Sequence, residues 1–156
     1  MLMKSKTLWL TSGVPASGKT TWVKQNLPNI PYVSRDEVRF SIIKDDEDYF
    51  AHEDEVFEVF IKKIQNSLDT SNECVADATH LSEKSRNKLL NKLSLEDTDI
   101  IILNFEVPIE TLFKRNSQRN GRAYVPKSVI RRMFYQFQPA TQNEKYKYKD
   151  IITIKE

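Results

Sequence analysis

A chain of 156 residues, at about 100 to 200 residues per domain, is expected to hold one domain with no room for a second catalytic unit. Its 39% hydrophobic and 29% charged residues exclude disorder and collagen-like structure, and a single cysteine, Cys74, excludes an intramolecular disulfide and a multi-thiolate zinc site. The net charge of +2 is unevenly spread: Asp45 to Glu58 carries eight acids and no Lys or Arg, whereas Lys114 to Lys149 carries ten bases and one acid, Glu144, so one end of the fold should favour anions.

The start, Met1-Leu2-Met3-Lys4-Ser5-Lys6, leads into a strand rather than a signal peptide, and no apolar run approaches the ~18 residues of a membrane helix, which predicts a cytoplasmic protein without membrane contact. Leu8-Trp9-Leu10-Thr11-Ser12 reads as a buried strand, and Lys19 to Leu27 as a helix that stops before Pro28. Ile30 to Val33 is a second short strand, and Ser34-Arg35-Asp36-Glu37 fits a capping box opening a helix towards Lys44. Phe50, Val56, Phe57, Phe60, Ile61 and Ile64 fall at helical spacing, predicting a long amphipathic helix over about Asp48 to Leu68. Glu73 to Asp77 is a third strand, with Cys74 a small buried residue in it, and Ser82 to Leu93 is a helix with a polar outer face. Asp99 to Phe105 is the most apolar segment and predicts a central strand. Helices follow over about Pro108 to Asn116 and Pro126 to Phe137, each with Pro at its first position, and Ile151 to Ile154 is a last strand. Strands alternating with helices predict an α/β fold: a parallel sheet covered on both faces, with ligands at the carboxyl ends of its strands.

Gly13-Val14-Pro15-Ala16-Ser17-Gly18-Lys19-Thr20 matches G-x-x-x-x-G-K-[ST] between a predicted strand and a predicted helix, as a phosphate-binding loop requires. The chain has three glycines, and two of them, Gly13 and Gly18, stand where the backbone must bend around phosphate oxygens. Successive N–H groups through Ser17 and the helix N-terminus form an anion cradle, Lys19 reaches the β- and γ-phosphates, and the Thr20 hydroxyl faces Mg²⁺. ATP with Mg²⁺ is the expected bound pair.

Phosphoryl transfer needs an oriented nucleophile and positive charge on the transferring group. Asp36 and Arg39 stand three apart on one helix face beside the end of the second strand. That pair either accepts a hydroxyl proton and holds an anionic group of the acceptor, or only complements the helix dipole as a solvated pair. Arg115, Arg119 and Arg122 surround the third glycine, Gly121, ahead of Pro126, a cationic segment that reads as a short lid over the phosphates or as a basic surface loop. Asp77, ending its strand, either holds Mg²⁺ through water, orients Arg39, or caps a helix. Arg131 and Arg132 are solvated or contact backbone phosphates, and His52 and His80 lack a metal-ligand partner at a recognised spacing. Tyr124, Tyr135, Tyr146 and Tyr148 either stack on bases or pack as ordinary aromatics.

Four pieces in this order, Gly13 to Thr20, Ser34-Arg35-Asp36-Glu37-Val38-Arg39, Asp77-Ala78-Thr79, and Val107-Pro108 through Lys114-Arg115-Asn116-Ser117-Gln118-Arg119 to Val125-Pro126, resemble the 5′-hydroxyl polynucleotide kinases. The resemblance spans nearly the whole chain except Asp45 to Glu58, and the family's fused phosphatase domain has no counterpart. It implies a P-loop NTPase-type three-layer sandwich with a short lid, residues 1–156 forming one kinase domain that phosphorylates 5′-hydroxyl ends of DNA or RNA in partnership with a ligase. By the same resemblance Lys19 and Thr20 bind triphosphate and metal, Asp36 is the general base, and Arg39 contacts the substrate's neighbouring phosphate. Arg119 stabilises the transferring group from the lid, with Arg115 and Arg122 beside the phosphates; Asp77 supports the metal, and Thr79 and Val125 line the acceptor side. Two positions depart from the family pattern: His80 stands where many relatives have Asn, and the loop between Arg119 and Val125 is a residue longer than in the phage prototype. A small-molecule hydroxyl (metabolite, antibiotic or nucleotide sugar) is the alternative acceptor.

Overall fold

The computed structural model describes residues 4–155. Met1 to Met3, part of the amino-terminal segment read above, lie outside the described residues. The elements in chain order are β1 (Lys6–Ser12), α1 (Lys19–Asn26), β2 (Tyr32–Ser34), α2 (Arg35–Ile42), α3 (Glu53–Ser71), β3 (Glu73–Asp77), α4 (Glu83–Leu90), β4 (Thr98–Glu106), α5 (Ile109–Ser117), a 3₁₀ turn (Gly121–Ala123), α6 (Lys127–Gln136) and β5 (Asp150–Lys155). The strands form one sheet in the order β2-β3-β1-β4-β5, and every neighbouring pair is parallel. The apolar strand predicted as central, β4, is interior, but β1 holds the middle position.

Alternation along the strands separates two apolar layers. On one face Leu8, Leu10, Ile100 and Ile102 pack with Phe60, Ile64 and Leu68 of α3 and Leu89 and Leu90 of α4. On the other, Val75, Leu103 and Phe105 pack with Trp22 and Val23 of α1. Phe60, Ile64 and Leu68 are fully buried, each contributing about 1.5 to 3 kcal/mol relative to exposure. A third cluster, Val14, Val107, Leu112 and Ile130, seats α5 and α6 beside the loop that follows β1.

Differences from the expected elements have local causes. The long helix begins at Glu53 rather than Asp48, because the Asp48 carboxylate accepts the Phe50 N–H at 3.1 Å and folds the segment into a turn. Phe50 is therefore not part of the buried stripe and is 53% exposed. The capping box at Ser34 is half made: its hydroxyl accepts the Glu37 N–H at 3.2 Å. Pro108 and Pro126 stand at N-cap positions, one residue before the first helical residue. Among the described residues no helix is long and apolar enough to cross a membrane.

The chain lays β2 and β3 on one side of β1, and β4 and β5 on the other. The carboxyl ends of β1 and β3 thus border the point where the strand order reverses, which is where open α/β sheets bind ligands.

Candidate active site

The loop after β1 has the shape that its sequence requires. Gly18 and Ala16 take positive φ values of 90° and 70°, turning successive N–H groups towards one concavity. The left-handed alanine costs about 1 kcal/mol or more, strain of the kind kept at functional sites. A Cβ on Gly13 would lie 2.9 Å from the Phe105 Cβ and 3.0 Å from the Ser17 Oγ, so only glycine lets the loop approach β4. The Gly13 N–H donates to the Thr79 carbonyl at 2.9 Å, pinning the loop to the segment after β3. Ser17 is buried with its Oγ unpartnered. Beside it an apolar cavity of about 420 Å³ is lined by Val14, Phe105, Val107, Leu112 and Phe134.

Lys19, opening α1, folds back and donates to the Gly13 and Val14 carbonyls at 3.1 and 3.0 Å. Burial pushes its pKa down, Asp77 and then Asp36 oppose that, and Arg119 reinforces it. Residues from the phosphate loop, β3, α2 and the segment after α5 therefore share one electrostatic space.

Asp77 is buried at the end of β3. Its Oδ1 accepts from Thr11 at 3.0 Å, and its Oδ2 accepts from Thr20 at 3.1 Å and from the Tyr32 hydroxyl. Burial, then the Asp77 charge, pushes the Tyr32 phenol well up, so it stays protonated and donating. One hydroxyl and one carboxylate beside a phosphate cradle suit Mg²⁺, which is usually held by one or two such groups plus substrate phosphates. Among the described residues no cluster of three or more His, Cys, Asp or Glu competes as a metal cage.

Asp36, in the first turn of α2, is 61% exposed. Its Oδ1 accepts from Arg39 Nη1 and, at 2.5 Å, from the Tyr49 hydroxyl, and no hydrogen bond from a described residue reaches its Oδ2. The Arg39 side chain is only 6% exposed. Its Nε and Nη2 donate to the two oxygens of Glu53 at 2.8 and 2.6 Å, and Nη1 also reaches the Tyr49 hydroxyl at 2.6 Å. Burial opposes the Glu53 charge, but hydrogen bonds and charge from Arg39, then Arg35, hold its carboxyl below the usual range. Arg39 thus turns inward to Glu53 and Asp36, and its ion-pair partners do not include Asp77.

Near the end of α5, Asn116 clasps the segment that follows: its amide donates to the Val125 carbonyl at 2.6 Å and accepts the Val125 N–H at 3.0 Å. Arg119 Nη1 donates to the Ala123 carbonyl at 3.2 Å. Burial lowers its guanidinium pKa, while Asp36 and Tyr49 act to raise it. Arg122 donates to the Phe40 and Ile43 carbonyls at 3.3 and 3.1 Å and lies over the Phe40 ring, tying the segment after α5 to the end of α2. Arg115 is partly buried on α5.

Sequence reasoning missed Tyr49 and Glu53 as partners of Arg39, Asn116 as the clasp, and Arg86. The last is fully buried, donating to Glu144 at 3.1 and 2.8 Å, to the Ser12 hydroxyl at 3.2 Å and to the His80 carbonyl at 2.9 Å. The available signal was Glu144, the single acid in a basic third of the chain. His80 is enclosed, and burial pushes its pKa down to about 3, so the neutral ring donates through Nδ1 to the Thr11 carbonyl at 2.7 Å. Burial likewise pushes Cys74 up to about 12, which keeps it an inert thiol.

A family model described as AAA domain (AAA_33) matches residues 8–140. An L-seryl-tRNA(Sec) kinase of Methanococcus maripaludis is 27% identical over 143 residues, covering 83% of this chain and 52% of the relative. A chain of the Pnkp1/Rnl/Hen1 RNA repair complex shares the fold with a TM-score of 0.77 at 24% identity, covering 94% of this chain and 48% of that one. A sugar kinase from Janibacter sp. HTCC2649 does so with a TM-score of 0.65 at 16% identity, covering 97% of this chain and 85% of that one. The chain spans about half the length of the seryl-tRNA kinase and of the repair-complex chain. Since the matched stretch takes in the phosphate loop, Asp36, Asp77 and the segment after α5, the chain belongs to the AAA domain family, a family of P-loop kinases.

Proposed function

We propose that this chain transfers the γ-phosphoryl group of ATP to the 5′-hydroxyl end of a nucleic acid strand. The reading is carried by the phosphate loop, whose Thr20 hydroxyl bonds Asp77 at the carboxyl edge of the sheet, with Asp36 opening α2 and Arg119 following α5 near enough to act on the Lys19 charge. Lys19 and the loop amides bind the β- and γ-phosphates, and the apolar cavity beside Ser17 suits the flat base of the donor. Thr20 and Asp77 hold Mg²⁺, which when bound neutralises charge on the phosphate oxygens. The free Oδ2 of Asp36 takes the proton of the acceptor hydroxyl as its oxygen bonds to the γ-phosphorus and the bond to the bridging oxygen breaks. ADP leaves, and Arg119 compensates the charge of the transferring group from the lid. The basic stretch Lys114 to Lys149 and the fold shared with a chain of an RNA repair complex support a polynucleotide end as acceptor. Partnership with a ligase belongs to the same reading.

A second reading, a hydroxyl on a small molecule, is favoured by one observation. Arg39, expected to grip the acceptor's phosphate, is instead occupied by Glu53, Asp36 and Tyr49. Incubation with γ-labelled ATP and matched 5′-OH RNA and DNA oligonucleotides, alongside a panel of metabolites, antibiotics and nucleotide sugars, separates the two. Label on an oligonucleotide, with acceptor binding weakened by salt more than ATP binding, is the expected result. Label only on a metabolite establishes the second reading.

Lys19→Ala is expected to lower turnover by about 2.7 to 4 kcal/mol of transition-state stabilisation, the size found for one preorganised donor. Because burial lowers the Lys19 pKa, its charge is lost as pH rises at a lower pH than an ordinary lysine would lose it. ATP affinity should fall over that window in the wild type and not in Lys19→Ala, as titration calorimetry across pH will show.

A further inference from the structure

The geometry points to a task for the acidic segment between α2 and α3: we propose that Glu53 is a positioning residue for the proton acceptor Asp36, acting through Arg39, with Tyr49 completing the clamp. The proposal deepens the reading of Asp36 as the base and rests on it.

Four observations converge. The two oxygens of Glu53 take a fork of Arg39 donors at 2.8 and 2.6 Å, the bidentate arrangement that fixes a guanidinium in its plane. The third nitrogen of that fork then bonds Asp36 Oδ1, so Glu53 sets the direction from which Asp36 is held. Tyr49 stacks 4.3 Å from the Arg39 guanidinium and sends its hydroxyl to the same Oδ1 at 2.5 Å. Its ring is edged by Phe40 at 6.1 Å and by Phe50 at 4.7 Å, so the clamp has little freedom to rotate. With Oδ1 doubly bound, Oδ2 is the oxygen left towards solvent and an acceptor.

An alternative is that Glu53 only neutralises a buried arginine. The two differ in charge balance at Asp36. The groups that face Asp36 are Arg39 and Arg35 of its own helix, Tyr49, Lys19 of the phosphate loop and Arg119 of the lid; Glu53 is the anion bonded to the nearest of these cations. Removing its charge leaves Asp36 among less compensated cations, which makes its carboxylate a weaker base. A loss of fold would instead reduce active protein at every pH alike.

The test uses the full chain with Glu53→Gln, which keeps shape and loses charge, and Tyr49→Phe, which keeps the ring stack and loses the hydroxyl. Each is assayed with ATP and a 5′-OH oligonucleotide. ADP release without acceptor, where water takes the hydroxyl's place, gives the same comparison. The expected result is a fall in kcat of about tenfold to a hundredfold, with KM for ATP held and the acid limb of the Glu53→Gln profile moved to lower pH. Glu53→Asp, which restores the charge, should return the acid limb towards the wild-type position. Unchanged kcat and acid limb in both variants, with Asp36→Asn inactive in the same assay, overturns the clamp and leaves the base reading standing. Turnover in Asp36→Asn removes that reading and the clamp together.

Discussion

Arg119→Ala is expected to lower single-turnover phosphoryl transfer by about 10³ to 10⁵, the size by which a transition-state arginine accelerates this chemistry, while leaving ATP affinity close to wild type. The expectation follows from where the residue sits. Arg119 follows α5 on a segment whose two ends are joined by the two-point Asn116–Val125 clasp and whose middle is tied by Arg122 to the Phe40 and Ile43 carbonyls. Its guanidinium is partly buried in the field of Asp36, and its bond to the Ala123 carbonyl is easily exchanged for a phosphoryl oxygen. A group that engages only when charge develops contributes to kcat rather than to ground-state binding. Arg119→Lys keeps the charge but loses the planar fork and should recover only part of the rate. Rapid-quench measurement at saturating ATP checks both variants, and a rate within about tenfold of wild type in Arg119→Ala removes the lid arginine from the chemistry.

Much of the fold was legible because its signals are local. The limits of β3 over Glu73–Asp77 coincide with the expected strand, since an apolar run is bounded there by Asn72 in a left-handed conformation and by a carboxylate. The phosphate loop was legible because two glycines and a lysine at fixed spacing have one mechanical use. The beginning of α3 was not, because Phe50 continues the helical spacing while the Asp48 side chain bonds the backbone and breaks the helix locally. The environment of Arg39 was opaque for another reason: its partner Glu53 is 14 residues away across a turn, and in a stretch of eight acids no spacing rule selects one. The Arg86–Glu144 pair, 58 residues apart, is likewise a product of the fold alone. Pattern thus found the groups that carry charge, whereas only packing told which cation is spent internally and which remains available to a ligand.

That distinction gives Asp36→Asn its diagnostic value. Asparagine is isosteric, and its Oδ1 can still accept from Arg39 and Tyr49, so the clamp and the start of α2 persist. What changes is the group facing the acceptor: the free Oδ2, an acceptor of protons, becomes an amide that only donates. General-base catalysis is typically worth 10² to 10⁴, so turnover should fall by about that factor. ATP affinity should not weaken, because on the proposed reading the loop amides and Lys19 hold the triphosphate, and removing a nearby anion acts in favour of binding another. If the acceptor hydroxyl loses its proton to Asp36, the acid limb of the turnover profile should also flatten in the variant, since no carboxylate at that position remains to be protonated. Steady-state kinetics across pH, with ATP binding measured separately, tests the three expectations together; wild-type turnover would assign the proton to another acceptor and leave Asp36 as a residue of the helix start.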